Sequence, residues 1–266
     1  MTRIETITTD SFSMDYFKFG HGKRALVIIP GLSVQSVMGS ADIIASSYDA
    51  MNDNFTIYVF DRRTDLPDTY TVSDMARDTA QAIETLGLHN VDIFGASQGG
   101  MIAMKIAIDH PDLVNKLILG STSAQIEDEE FAGVEAWIGM AREGDAEALY
   151  LAFGEALYPQ EVYDQSKSLL VDMAHTVTSE ELDRFIILAE GMRGFDISGE
   201  LDSISCPVLL IGSSDDRVLG AEATELITEH LSGKDGFELY MYDGYGHAAY
   251  DTAPDYRDRM AAFLLT

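Results

Sequence analysis

Apolar residues along this chain fall into short unbroken runs, separated by longer stretches with helical spacing. Arg24–Ile29 (RALVII) reads as a buried strand that stops at Pro30-Gly31. Phe55–Phe60, Val91–Phe94, Leu117–Leu119, Pro207–Ile211 and Phe237–Tyr242 repeat that pattern. Val72–Leu86, Met101–Ile108, Ala221–His230 and Asp255–Leu264 place apolar residues every three to four positions, as a helix with one buried face does. The first of these stops at Gly87 and the second ends before His110-Pro111. Strands alternating with helices predict an α/β fold, a mostly parallel central sheet flanked by helices on both faces. Two segments ahead of it, near Arg3–Thr8 and Phe12–Phe19, predict an antiparallel start.

The alternation breaks between Ala124 and Ser205. That interval has helical stripes and no convincing strand. Phe131, Val134, Trp137 and Ile138 form one stripe, and Leu149, Phe153, Ala156 and Leu157 a second. Leu169, Leu170 and Met173 belong to a third, and Leu182, Phe185, Ile186, Ala189 and Met192 to a fourth. The expected organisation is a core of residues 1–123 and 206–266 carrying a helical cap, residues 124–205, over the edge of the sheet. An apolar pocket under the cap, built partly from Trp137, Phe153, Phe185 or Met192, is expected above the site.

Charge narrows the partners. With 17 Lys and Arg against 45 Asp and Glu, the net charge is −28, a surface that repels nucleic acid and anionic membranes. No run of about 18 apolar residues occurs, so no membrane span is expected. The start, Met1-Thr2-Arg3-Ile4-Glu5, lacks a basic segment followed by an apolar one, so no signal peptide is expected. A single cysteine, Cys206, allows no intrachain disulfide. Together these point to the cytoplasm.

The candidate chemistry begins at Gly95-Ala96-Ser97-Gln98-Gly99, which fits G-x-S-x-G. The match is meaningful because it follows an apolar strand at once and opens a helix. So sharp a turn strains the serine, leaves no room for side chains two positions before and after it, and exposes the hydroxyl at the carboxyl edge of the sheet. A serine needs a base. Of six histidines, His247 alone follows a strand across a short turn, Asp243-Gly244-Tyr245-Gly246, and reaches the same edge; His21, His89, His110, His175 and His230 sit in other loops or at helix ends. The base needs a carboxylate, and the loop after Pro207–Ile211 offers two, Asp215 and Asp216, of which one should reach His247 and the other be solvated or pair with Arg217. An oxyanion would be met by the backbone N–H groups of Gln98 and of Leu32, which follows Pro30-Gly31.

Taken together, these residues resemble the α/β-hydrolase superfamily, in particular its capped, esterase-like bacterial members. The resemblance spans nearly the whole chain: Pro30-Gly31, Asp61-Arg62-Arg63, the elbow at Ser97, His110-Pro111, Cys206-Pro207-Val208 and Gly246-His247, with Ser, Asp and His in the family's order. Two departures stand out. Pro30-Gly31 replaces the usual His-Gly, which loses a side chain that often braces the oxyanion loop. The acid loop is one residue longer than the common spacing if Asp216 is the acid. Family spacing counted from the strand favours Asp215; the run Asp216-Arg217-Val218-Leu219-Gly220 leading into the next helix favours Asp216, the preferred assignment. The resemblance implies a serine hydrolase acting on a small apolar acyl substrate through an acyl-enzyme, with no metal or organic cofactor. A carboxylic ester is the first expectation. A thioester, a lactone or a carbon–carbon bond is the alternative, and a ligand receptor or signalling adaptor that keeps the triad is the reading from another class.

Overall fold

The computed structural model describes residues Met1 to Thr266. One eight-stranded sheet is built from β1 (Ile4–Thr8), β2 (Ser13–Gly20), β3 (Arg24–Ile29), β4 (Phe55–Arg63), β5 (Val91–Ala96), β6 (Val114–Gly120), β7 (Val208–Ser213) and β8 (Phe237–Tyr242). Their spatial order is β1-β2-β4-β3-β5-β6-β7-β8. β2 runs antiparallel to both β1 and β4, and the six strands β3–β8 are mutually parallel.

The helices are α1 (Ala41–Ser47), α2 (Val72–Thr85), α3 (Gln98–Asp109), α4 (Asp128–Arg142), α5 (Ala146–Leu157), α6 (Gln160–Ala174), α7 (Ser179–Glu190), α8 (Gly220–Leu231), α9 (Ala249–Thr252) and α10 (Tyr256–Leu265). Alternation along the strands sorts the core into two layers. Val27, Ile29, Ile93, Leu117 and Leu210 pack with α2, α3 and α8. Leu26, Ile28, Phe94, Ile118 and Ile211 pack with Ala41 of α1 and with Tyr256, Met260 and Phe263 of α10. Both faces are therefore dry, which is why these strands read as unbroken apolar runs. α2 starts on a reciprocal capping box between Thr71 and Asp74, and Gly87 takes φ +70° just past its end.

Boundaries moved where tertiary pairing extended an element. β4 runs on through Asp61, Arg62 and Arg63, because Met14 pairs with Arg63; the three residues close the strand rather than follow it.

Helices α4–α7 leave the chain after β6 and return to β7. Their two ends are stapled side by side: Ile126 N donates to Phe195 O at 2.7 Å and Ile197 N to Ala124 O at 2.8 Å. Three of the four apolar stripes pack inward. The stripe on α6 does so only through Leu170, since Leu169 is 61% exposed and Met173 37%. α6 packs chiefly on α5, and these two side chains face an open cleft. No helix is long and apolar enough to cross a membrane.

Candidate active site

The order of the strands makes a crevice. The chain goes from β3 outward to β4, then crosses back over β3 to β5, so the loops leaving β3 and β5 separate on opposite faces. Pro30-Gly31-Leu32 leaves β3 and Ser97 leaves β5, side by side; a Cβ on Gly31 would lie 3.1 Å from that of Ser97. The loops after β7 and β8 bring Asp216 and His247 to the same carboxyl edge.

Ser97 has φ +53° and ψ −124° and caps the N-terminus of α3. A left-handed φ on a residue with a Cβ is strained. The strain is held by Ser97 N donating to Gly120 O at 2.9 Å and by Thr122 Oγ1 donating to Ser97 O at 2.7 Å. The flanking glycines are required by contact: a Cβ on Gly95 would overlap the Gly99 carbonyl, and one on Gly99 the Ile29 carbonyl.

His247 is fully buried, with Nδ1 2.8 and 3.0 Å from the two carboxylate oxygens of Asp216. Asp216 Oδ1 also accepts the N–H groups of Val218 at 2.8 Å and Leu219 at 3.1 Å, where the loop turns into α8. With Nδ1 engaged by a carboxylate, the other ring nitrogen is the one free to act as a base. That atom, Nε2, is buried without a hydrogen-bond partner, and His247 shares a cavity wall with Ser97. The N–H groups of Leu32 and Gln98 make no hydrogen bond within the protein. No group of His, Cys, Asp or Glu side chains is arranged to hold a metal ion.

Residues 24–254 match the family model of the α/β hydrolase fold. The chain belongs to the α/β-hydrolase family. It is similar to a Rhizobium rhizogenes protein named "Putative carbamate hydrolase RutD", at 27% identity over 250 residues, 91% of this chain and 92% of that protein. In three dimensions it is similar to MGS-M2, an alpha/beta hydrolase from a Medee basin deep-sea metagenome, with TM-score 0.86 and 20% identity over 98% of each chain. It is similar also to an enol-lactonase of Burkholderia xenovorans, with TM-score 0.82 and 16% identity over 98% of this chain and 100% of the other. This membership makes the protein a hydrolase.

In this α/β hydrolase the second aspartate is partly exposed and is not paired with Arg217. Asp215 accepts from Ser213 Oγ at 2.8 Å, Gly244 N at 3.1 Å and Gly246 N at 3.1 Å, and so ties down the loop that carries His247. Arg217 instead donates to Tyr158 O at the end of α5. Adjacent side chains point apart, so one loop presents a carboxylate to the imidazole and another to the amides beside it. Burial opposes ionisation of Asp215, but the hydrogen bonds from Ser213, Gly246 and Gly244 outweigh it and hold the carboxyl below its ordinary value. A carboxyl depressed in the folded state adds stability that is present above the ordinary carboxylate pKa of about 4. That stability is lost as pH falls from the ordinary value through the lower native one. Asp215→Ala is expected to cut turnover roughly 10- to 100-fold by loosening the His247 loop, the scale of an ~1 Å misplacement. Steady-state kinetics at neutral pH check this; unchanged turnover would deny Asp215 that role.

Spacing alone did not single out three further residues. Tyr250 lies edge-on to His247, ring centroids 6.3 Å apart, and burial holds its phenol well above the ordinary value. Glu130 is the acidic side chain in the cavity wall; burial pushes its carboxyl up, while Oε2 accepts from Glu127 N at 2.9 Å. Arg62, noted only as part of Asp61-Arg62-Arg63, is buried beside the Ser97 helix.

The cavity joining Ser97 and His247 holds about 20 Å³ and is walled by Trp137, Phe153, Val134, Met192 and Leu157, among others. Phe185 is not in the wall; it stands behind Phe153, edge-on, at 6.2 Å. A cleft of about 620 Å³ lies outside, between residues 33–40 and helices α5 and α6, and Phe153 and Leu157 line both spaces. The inner space has room for about one water molecule, whereas the outer falls in the range of ligand sites.

Proposed function

We propose that this protein is a serine hydrolase that cleaves a carboxylic ester of a small apolar acyl group, with Ser97 as nucleophile, His247 as general base and Asp216 as the acid that orients it. The observation that carries this reading is the pairing of His247 Nδ1 with Asp216 while Nε2 stays unpartnered in the cavity it shares with Ser97. Ser97 Oγ attacks the acyl carbon and gives its proton to Nε2. The carbonyl oxygen, now negative, accepts from Leu32 N–H and Gln98 N–H. The imidazolium returns the proton to the leaving alcohol, and the C–O bond to it breaks. Water then gives a proton to Nε2 and attacks the acyl-enzyme, releasing the acid and restoring Ser97.

The apolar inner wall favours an acyl group without charge, and helices α4–α7 act as the cap that keeps it from water. The experiment is turnover of p-nitrophenyl esters of graded acyl length, paired with fluorophosphonate labelling of Ser97. A protein that is neither labelled nor active on any ester would remove the reading and leave a receptor role in its place. A carbamate is the second substrate class, favoured by the name of the Rhizobium relative. The same attack on a carbamoyl carbon applies, and ammonia release from a simple carbamate tests it.

Phe153 and Leu157 set the acyl length in this reading, as the partition between the two spaces. Phe153→Ala joins them. The kcat/KM ratio of the octanoyl to the butanoyl ester is expected to rise by one to two orders of magnitude, since each buried CH₂ contributes about 0.8 kcal/mol and burial of the four extra groups is partial. An unaltered length profile in an active Phe153→Ala protein would show that the partition lies elsewhere.

A further inference from the structure

The two backbone donors assigned to the oxyanion come from different elements, Leu32 after β3 and Gln98 at the start of α3. One side chain ties these segments together. The guanidinium of Arg62, at the end of β4, is buried between them, and its Nη2 donates to Pro30 O at 2.8 Å and to Gln98 Oε1 at 3.1 Å. The first bond pins the peptide ahead of Gly31-Leu32. The second pins the residue that carries the other donor. Gln98 is itself fully buried, and its Nε2 donates to Leu188 O on α7 at 2.7 Å. Asp61 completes the arrangement, accepting Arg62 N at 2.7 Å and the side chains of Ser36 and Arg184.

Packing alone is a poor reason for such a group. Burial pushes the Arg62 guanidinium down to about 10, still charged at neutral pH, and its Nε has no acceptor. An apolar side chain of similar volume commonly serves stability as well or better at a buried ionic position. What an apolar side chain cannot do is hydrogen-bond at once to the Pro30 carbonyl and to the side-chain amide of Gln98, as the single Nη2 of Arg62 does. The brace that Pro30 denies to the oxyanion loop is thus supplied from the neighbouring strand.

We propose that Arg62 is a positioning residue that sets the separation and direction of the Leu32 and Gln98 N–H groups, so that both meet the developing oxyanion. The proposal rests on the reading of Ser97 as nucleophile. Through Leu188, the same bonds couple the oxyanion site to α7.

The test uses Arg62→Met, Arg62→Lys and Gln98→Leu, with kcat and KM on p-nitrophenyl butyrate, affinity for phenylboronic acid, and thermal midpoint. The boronate forms a tetrahedral adduct on the serine and places an oxygen where the oxyanion would be. Arg62→Met is expected to lower kcat roughly 10- to 100-fold, short of the 10²–10³ that follows outright loss of a donor, with KM within about threefold. Boronate affinity should fall by a similar factor. Arg62→Lys keeps the charge on a shorter, more flexible stem, and should recover only part of the loss. Gln98→Leu breaks one of the two Arg62 bonds, together with the bond to Leu188, and should show the same pattern more weakly; if Arg62→Met does not fold, it decides alone. Folded variants with wild-type kcat and boronate affinity, whatever their thermal midpoints, would overturn the proposal. A wild-type protein inert to esters, boronate and fluorophosphonate would overturn the reading of Ser97 itself, and the role of Arg62 with it.

Discussion

Ser97→Ala is expected to lower turnover by about six orders of magnitude, the scale of triad knockouts, or about 8 kcal/mol of transition-state stabilisation at 1.36 kcal/mol per factor of ten. The fold should survive. Ser97 Oγ makes no hydrogen bond in the protein, while the bonds that hold the elbow come from its backbone N and O. A smaller side chain at φ +53° relieves strain if it changes anything. His247→Ala should match this loss, and the double variant should be no worse, because residues acting as one unit are not additive. Substitutions at His21, His89, His110, His175 or His230 should spare activity. Turnover of p-nitrophenyl butyrate beside a thermal melt decides the matter. A Ser97→Ala protein with a tenth of wild-type activity would rule out the nucleophile.

Asp216→Asn is expected to cost roughly four orders of magnitude in turnover. Asp216 Oδ1 accepts two loop N–H groups as well as facing His247 Nδ1. In the asparagine, the amide oxygen should stay with those N–H groups and the amide N–H₂ should turn toward the imidazole. Nδ1 must then accept, so the proton moves to Nε2, the atom that should receive one from Ser97. The contrast with Asp215→Ala is the diagnostic: loss of a loop tie against loss of the correct tautomer, separated by two or more orders of magnitude. Were Asp215→Asn the crippled variant and Asp216→Asn active, the two roles would exchange.

Local pattern carried far at some places and stopped at others. β3, β5 and β7 are covered on both faces, so each appears as an apolar run bounded by Gly or Pro. The elbow is legible because its geometry tolerates only small residues two positions either side of Ser97. The α6 stripe misled. Leu169 and Met173 keep helical spacing with their neighbours, yet periodicity says which residues share a face and not whether anything covers it.

By its sequence alone, then, this protein is an α/β chain whose Ser97 opens a helix after a buried strand and whose His247 follows another. Both are short-range consequences of steric fit and apolar period, which any few residues carry within themselves. Tertiary structure decided the rest. It sent Asp216 to His247 and Asp215 to the Gly244 and Gly246 amides, a choice made by the direction of two adjacent side chains on one loop. It also brought Arg62 between Pro30 and Gln98, residues 32 and 36 positions away, and split the space above Ser97 at Phe153 and Leu157. These contacts join segments that are distant along the chain. Their partners are set by the order of strands and the docking of helices, which no local pattern of apolar and polar residues encodes.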